Sequence, residues 1–123
     1  AFDMLVLPGG LPGSDHLDRD PRVHEMLRRL NAAGSFTAAI CAAPKVLANA
    51  GLLDGKSATS YPGAVTIDQY PRVNILGSAV VTDGKVITSR GAGTAMDFAL
   101  QLIESLSGKE RRDQVEVALV REH

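Results

Sequence analysis

The first apolar run, Phe2-Asp-Met-Leu-Val-Leu7, stops at Pro8-Gly9-Gly10. It predicts a buried strand, because half-exposed strands alternate polar and apolar residues. Glycine- and proline-rich sequence extends to Pro21 and reads as connection. Val23, Met26, Leu27 and Leu30 then fall at i, i+3, i+4 and i+7, one stripe of a helix that Gly34 is placed to end. Phe36-Thr-Ala-Ala-Ile40 predicts a second strand. Cys41 follows at once, and Pro44 suits the first turn of a helix, where its missing N–H is not needed. Val46, Leu47 and Ala50 give that helix an apolar face, which Gly51 closes. A third strand is expected from Ser57 to Tyr61, ended by Pro62-Gly63. Asp83-Gly84 lies between Ala79-Val-Val-Thr82 and Lys85-Val-Ile-Thr-Ser89, which predicts a hairpin because Asp-Gly tolerates the positive φ angles of a tight turn.

From Thr94 to Ser107 the pattern predicts a helix. Thr94 with Asp97 resembles a capping box, and Ala95, Phe98, Ala99, Leu102, Ile103 and Leu106 are expected to form its buried face, with Gly108 as terminator. Val115 to Val120 reads as a last apolar extended segment. Apolar strands alternating with helices indicate an α/β fold: a mostly parallel sheet covered by helices on both faces, with one antiparallel hairpin at Asp83-Gly84. No repeat or linker divides the chain, so residues 1–123 read as a single domain. Doubly wound domains usually run to about 150 residues or more, so a chain that opens almost at once in a strand of this kind is short for the class.

Composition narrows the function classes. Apolar residues make up 45% and charged residues 22%, and 13 basic against 14 acidic side chains give a formal charge of −1. That balance offers no basic footprint for nucleic acid. No apolar run approaches the roughly 18 residues of a membrane span, and the apolar start lacks the length and basic lead-in of a signal peptide. One cysteine cannot form an internal disulfide, so a cytoplasmic location is expected. His16, His24, His123 and Cys41 show no ligand spacing, and no protein-built metal site is expected.

Three passages carry candidate chemistry. In Ala38-Ala39-Ile40-Cys41-Ala42-Ala43-Pro44 a strand leads into a cysteine, small residues follow, and a helix begins. The turn resembles a nucleophile elbow, in which a sharp bend lifts one side chain above the sheet edge and leaves no room for bulky neighbours. A sulfur there lies near a helix N-terminus, which favours thiolate over thiol. The alternative is a small buried apolar residue, as free cysteines often are; sequence pattern alone leaves both open. Gly9-Gly10 would let backbone N–H groups approach a ligand or hold an oxyanion, or it is a plain turn. Ser89-Arg90-Gly91-Ala92-Gly93-Thr94 either binds an anion at a helix start or is a tight connection.

Together these passages resemble the ThiJ/PfpI superfamily, in the branch of the parkinsonism-linked protein deglycase and its bacterial relatives. The matching stretches are Val6-Leu-Pro-Gly-Gly10, Ala38-Ala-Ile-Cys-Ala-Ala-Pro44 and Thr88-Ser-Arg-Gly-Ala-Gly-Thr94, with Asp97-Phe98-Ala99-Leu100 and Gly108-Lys-Glu110, in matching order over nearly the whole chain. The resemblance implies a flavodoxin-like, class I glutamine amidotransferase-like sheet, with Cys41 as the nucleophile at the elbow. It also implies that Gly10 and Ala42 offer N–H groups to an oxyanion or an oxidised sulfur. Gly9, Tyr61 and Arg90 are expected around the pocket, Arg90 near the pocket of a partner in a homodimer.

The family's proton-sharing glutamate has no counterpart here, since the chain begins where the family's central strand begins. Residues 1–123 are therefore expected to lack the domain's N-terminal third, supplied as a separate or missing chain. Peptidase members have histidine after the cysteine; Ala42 stands there, and His16 and His24 read as loop and helix-surface residues, so a cysteine peptidase or amidase is disfavoured. The deglycase branch often has histidine where Tyr61 precedes Pro62, and Tyr61 is expected either to bond a ligand or to wall the pocket. The implied function is a cofactor-independent, cysteine-dependent hydrolase or lyase of glyoxalase or deglycase type, acting on small electrophilic dicarbonyls or their protein adducts in stress protection. The alternative is a cysteine-oxidation redox sensor or chaperone-like stress protein.

Overall fold

The computed structural model describes residues 4–8 and 13–108, without the side chains of residues 13–15 and 92. Gly9, Gly10 and the Val115 to Val120 segment lie outside the described residues.

Four strands form the main sheet in the order β1-β2-β6-β5: β1 (Met4–Leu7), β2 (Phe36–Ile40), β5 (Val80–Asp83) and β6 (Val86–Ser89). β1 and β6 both run parallel to β2, with Leu7 opposite Ala39 and Ile40 opposite Ser89. β5 is antiparallel to β6 through the Asp83-Gly84 turn, where Gly84 has φ 60°. The period of two divides the side chains between two cores. On one face Leu7, Ala39 and Val86 meet α2 (Pro21–Ala32) and α3 (Pro44–Asn49) through Leu27, Val46 and Leu47. On the other, Ala38 and Ile87 meet Phe98 of α4 (Ala95–Ser107). Full burial of a Leu or Ile of this kind contributes about 1.5–3 kcal/mol, so Leu27, Leu47, Leu53 and Ile87, all fully buried, anchor helices to both faces of the sheet.

Several elements differ from the sequence expectation. The glycine- and proline-rich connection contains a helix, α1 (Gly13–Arg19), which carries His16 on a helix rather than in a loop. It holds through tertiary contacts: Leu17 packs on the first core, and Asn49 of α3 donates to Asp18 at 2.7 Å. His24 is not a simple surface residue, since its ring meets the carbonyl of Asp18 at 2.8 Å and the carboxylate at 3.1 Å. Tyr70 donates its hydroxyl to Asn49. Burial, then the Asp18 carboxylate, pushes that phenol's pKa up.

Met26 is 45% exposed, so the α2 stripe narrows to Leu27 and Leu30 with Val23 at its margin. Val6 is likewise exposed, on a strand that lies at the sheet edge among the described residues. The third strand shrinks to β3 (Ser57–Ala58), paired with β4 (Asn74–Ile75) in a separate two-stranded sheet. It stops there because the next donors are taken elsewhere: Thr59 N–H by the Thr88 hydroxyl at 2.9 Å, and Tyr61 N–H by the Cys41 carbonyl at 2.7 Å. In α4 the buried side chains are Phe98 and Leu100; Ala95, Ala99 and Leu106 are exposed. Thr94 makes no capping box, since its hydroxyl turns back to Gly91.

Candidate active site

Ligands of parallel sheets bind at the carboxyl ends of the strands. Three adjacent strands, β1, β2 and β6, end at that edge: β1 runs into Pro8, β2 into Cys41 and β6 into Arg90-Gly91. Cys41 has φ 62° and is the only non-glycine residue with positive φ among the described residues. An L-residue in this conformation costs roughly 1–2 kcal/mol. Two long-range bonds hold it: Cys41 N–H donates to the Ser89 carbonyl at 3.1 Å, and the Cys41 carbonyl accepts from Tyr61 N–H at 2.7 Å. Ala43 N–H donates to the Ile40 carbonyl at 3.1 Å and closes the bend. The result is a half-buried free thiol set between a strand and a helix, the strained geometry of a nucleophile elbow.

Gly91 faces the sulfur. A methyl at its Cα would lie 3.8 Å from Cys41 Sγ and 4.0 Å from Tyr61 Cδ2. The Gly91 loop is fixed by two hydroxyls whose pairing sequence reading did not foresee. Thr94 Oγ1 accepts from Gly91 N–H at 3.0 Å and lies 2.9 Å from the Gly91 carbonyl and 2.7 Å from Ser89 Oγ, which is in turn 2.8 Å from the Ala79 carbonyl. Two hydroxyl protons serve these last three contacts, so two of the three are satisfied at once. Gly91→Ala is expected to keep the fold, since its new contacts are ordinary van der Waals distances, while slowing Cys41 alkylation by iodoacetamide severalfold as the methyl covers the sulfur. Equal rates in the two proteins would mean that the sulfur is approached from another side.

A cavity of about 430 Å³ lies beside the elbow. Ala42 and Lys45 form one wall; Tyr61, the Pro62-Gly63-Ala64 turn and Gln69 form the other. Among the described residues nothing accepts a hydrogen bond from Ala42 N–H, and nothing pairs with the Tyr61 hydroxyl. A larger hollow of about 670 Å³ sits at the opposite end of the sheet, at Gly34, Phe36, Lys85 and Leu106. Position relative to the strand ends, not volume, selects the first.

A family model described as the DJ-1/PfpI family matches residues 1–105. The chain belongs to the DJ-1/PfpI family. Protein dj-1beta of Drosophila melanogaster is 46% identical over 121 residues, a match covering 97% of this chain and 64% of that protein. Its crystal structure superposes with a TM-score of 0.90 over all of this chain and 66% of that one, at 43% identity. A Toxoplasma gondii structure described as DJ-1, oxidized, gives a TM-score of 0.91 at 35% identity, covering 100% of this chain and 66% of that one. A Caenorhabditis elegans relative named glutathione-independent glyoxalase DJR-1.2 is 35% identical over 116 residues, 93% of this chain and 60% of that protein. The chain thus spans less than two-thirds of the length of these curated relatives.

Within this DJ-1/PfpI frame the structure brings together Cys41, Ala42 and Tyr61, but not Arg90. Arg90 is exposed, and its guanidinium donates to the Gly77 carbonyl at 3.3 Å, outside the cavity lining. Neither His16 nor His24 lines the cavity. Among the described residues no cluster of three or more His, Cys, Asp or Glu side chains could hold a metal ion, and no described helix is long and apolar enough to cross a membrane. Lys45 and Gln69 are pocket residues that sequence reading passed over, because only the fold places them in one cavity with Ala42 and Tyr61.

Proposed function

We propose that this DJ-1/PfpI chain acts as a cofactor-independent, cysteine-dependent enzyme of glyoxalase or deglycase type, removing reactive dicarbonyls or their adducts. The observation that carries the reading is Cys41 held at φ 62° at the carboxyl edge of the sheet, beside a cavity. The name of the Caenorhabditis elegans relative supports it.

In methylglyoxal the Cys41 sulfur adds to the aldehyde carbon and the carbonyl oxygen takes up a proton, giving a hemithioacetal. Ala42 N–H steadies the oxygen while it is charged. The C1 proton then moves to C2 through an enediol, which leaves C1 as a thioester and C2 as an alcohol. Water attacks the thioester, releasing lactate and restoring the thiol; overall one water is added and nothing is oxidised or reduced externally. In this proposal the proton carrier is the glutamate implied by the resemblance, supplied from outside residues 1–123. A homodimer placing Arg90 beside a partner's pocket, and a cytoplasmic setting, belong to the same proposal.

The test is lactate formation from methylglyoxal without glutathione, before and after Cys41 is alkylated with iodoacetamide. Untreated protein is expected to form lactate and alkylated protein none. Undiminished lactate formation by the alkylated protein would rule the mechanism out.

A second reading, oxidation of the same sulfur as a stress signal, is favoured by the likeness to a structure described as oxidized. A half-buried thiol beside Ala42 N–H, which has no partner among the described residues, is suited to hold a sulfinate. Peroxide titration followed by mass spectrometry separates it: no oxygen uptake at Cys41 at modest excess removes this reading.

A further inference from the structure

The two long-range bonds of Cys41 differ in kind. Its N–H bond to Ser89 belongs to the sheet, whereas its carbonyl accepts from Tyr61 N–H, at the start of a segment with no helix or strand from Tyr61 to Tyr70. Val65 is the one buried residue of that segment. Its far end is held by Tyr70, whose ring packs on the first core and whose hydroxyl donates to Asn49, the last residue of α3. Two stretches of chain, Cys41 to Asn49 and Tyr61 to Tyr70, are therefore joined at both ends.

The joint at Tyr70 is itself anchored. Asn49 Nδ2 donates to Asp18 Oδ2 at 2.7 Å. The other carboxylate oxygen, Oδ1, lies 3.1 Å from His24 Nε2, which is also 2.8 Å from the Asp18 carbonyl. Both of these oxygens are acceptors, so Nε2 carries the ring proton. The donors then run one way, Tyr70 to Asn49 and Asn49 to Asp18, with His24 meeting the same carboxylate from α2. Asn49 accepts at one end and donates at the other, so one orientation of its amide satisfies both neighbours. Burial, then the Asp18 carboxylate, holds the Tyr70 phenol's pKa up, which keeps the donated proton in place.

Resting on the reading of Cys41 as the nucleophile, we infer that Tyr70 is a positioning residue for it, with Asn49 and Asp18 as its anchor. Tyr70 touches neither the sulfur nor a substrate. It fixes the far end of the segment, so that Tyr61 N–H stays on the Cys41 carbonyl. A non-glycine residue at φ 62° persists where its surroundings over-determine it, and the Tyr61 bond is the restraint on Cys41 that the sheet does not supply.

Tyr70→Phe removes the hydroxyl and leaves the ring in the core. Hydrogen exchange at the Tyr61 amide, followed by NMR, is expected to speed up about three- to tenfold, the scale of one net hydrogen bond. In lactate formation from methylglyoxal, kcat should fall by a similar factor while KM stays within about twofold, since geometry at the nucleophile changes and binding does not. Asn49→Ala should act alike, and Asn49 is exposed, so this variant opens no cavity in the core. The double variant should be no slower than the slower single one, because both changes delete the same bond. Asn74→Ala deletes an exposed side-chain bond to Ser57 elsewhere and should leave both readouts within about twofold. Wild-type exchange at the Tyr61 amide in Tyr70→Phe, or effects of Tyr70→Phe and Asn49→Ala that multiply, would overturn the assignment. Absence of lactate formation by the wild-type protein would remove the catalytic proposal, and Tyr61 exchange would then decide the role of Tyr70 by itself.

Discussion

A Cys41→Gly protein is expected to lose dicarbonyl turnover by about a thousandfold or more, yet to be more stable than Cys41→Ala by about 1 kcal/mol. The first effect follows from removing the sulfur that forms the covalent intermediate in the proposed mechanism. The second follows from φ 62° at this position, where a Cβ crowds the following carbonyl. At most positions alanine is the more stable of the two by roughly 0.5–1 kcal/mol, because glycine loses more freedom on folding. Here the order should invert. Alanine keeps the strain of the elbow and loses the sulfur, whereas glycine relieves the strain. Urea denaturation of the two variants, with lactate assays alongside, reads both effects. Turnover by Cys41→Gly would dismiss the sulfur as nucleophile, and an alanine variant at least as stable as the glycine one would dismiss the strain.

Leu47→Ala should destabilise the fold by about 3 kcal/mol, within the usual 2–5 kcal/mol for a leucine removed from a close-packed core. Leu47 is fully buried in the cluster that also holds Leu27, Val46 and Leu53. It lies on α3, whose other buried residues, Pro44, Val46 and Ala48, leave little room for the backbone to close over a cavity. Because α3 follows the elbow directly, loss of this packing loosens the support behind Cys41 as well. Met26→Ala is the control: its side chain is 45% exposed, so a change within about 0.5 kcal/mol is expected despite its place in the predicted stripe. A loss below about 1 kcal/mol for Leu47→Ala would show that the α3 face is not the anchor described.

Features fixed by local chemistry were legible in the sequence. The Asp83-Gly84 hairpin and the strand–Cys41–Pro44 passage depend on residues within a few positions of each other, and both stand where pattern and turn chemistry place them. The resemblance to the family, now shown, reached the parallel sheet by the same motifs. What escaped depends on distant partners. α1 carries one apolar contact of its own, Leu17, and is held by α3, so its sequence reads as loop. β3 ends early because Thr88 and Cys41 take its next donors, neither of which is near in sequence. The α4 face was drawn too broadly because helical period shows which residues share a side, not whether anything covers them. At the candidate site, Cys41, Ala42 and Tyr61 were singled out from the sequence, whereas Lys45, Gln69 and the Ser89–Thr94 hydroxyl pair needed the fold to bring them in. Gly9 and Gly10 lie outside the described residues.

The two backbone bonds of Cys41 have a further bearing on when this sulfur becomes special. Both reach partners remote in sequence, Ser89 and Tyr61, and the first exists only once β2 has paired with β6. Closing such distant segments is slow compared with forming a helix or a hairpin. A nascent chain therefore carries an ordinary cysteine, and the bend that exposes it to electrophiles is among the last pieces of backbone to set. Labelling rate at this one atom is thus a clock for completion of the sheet.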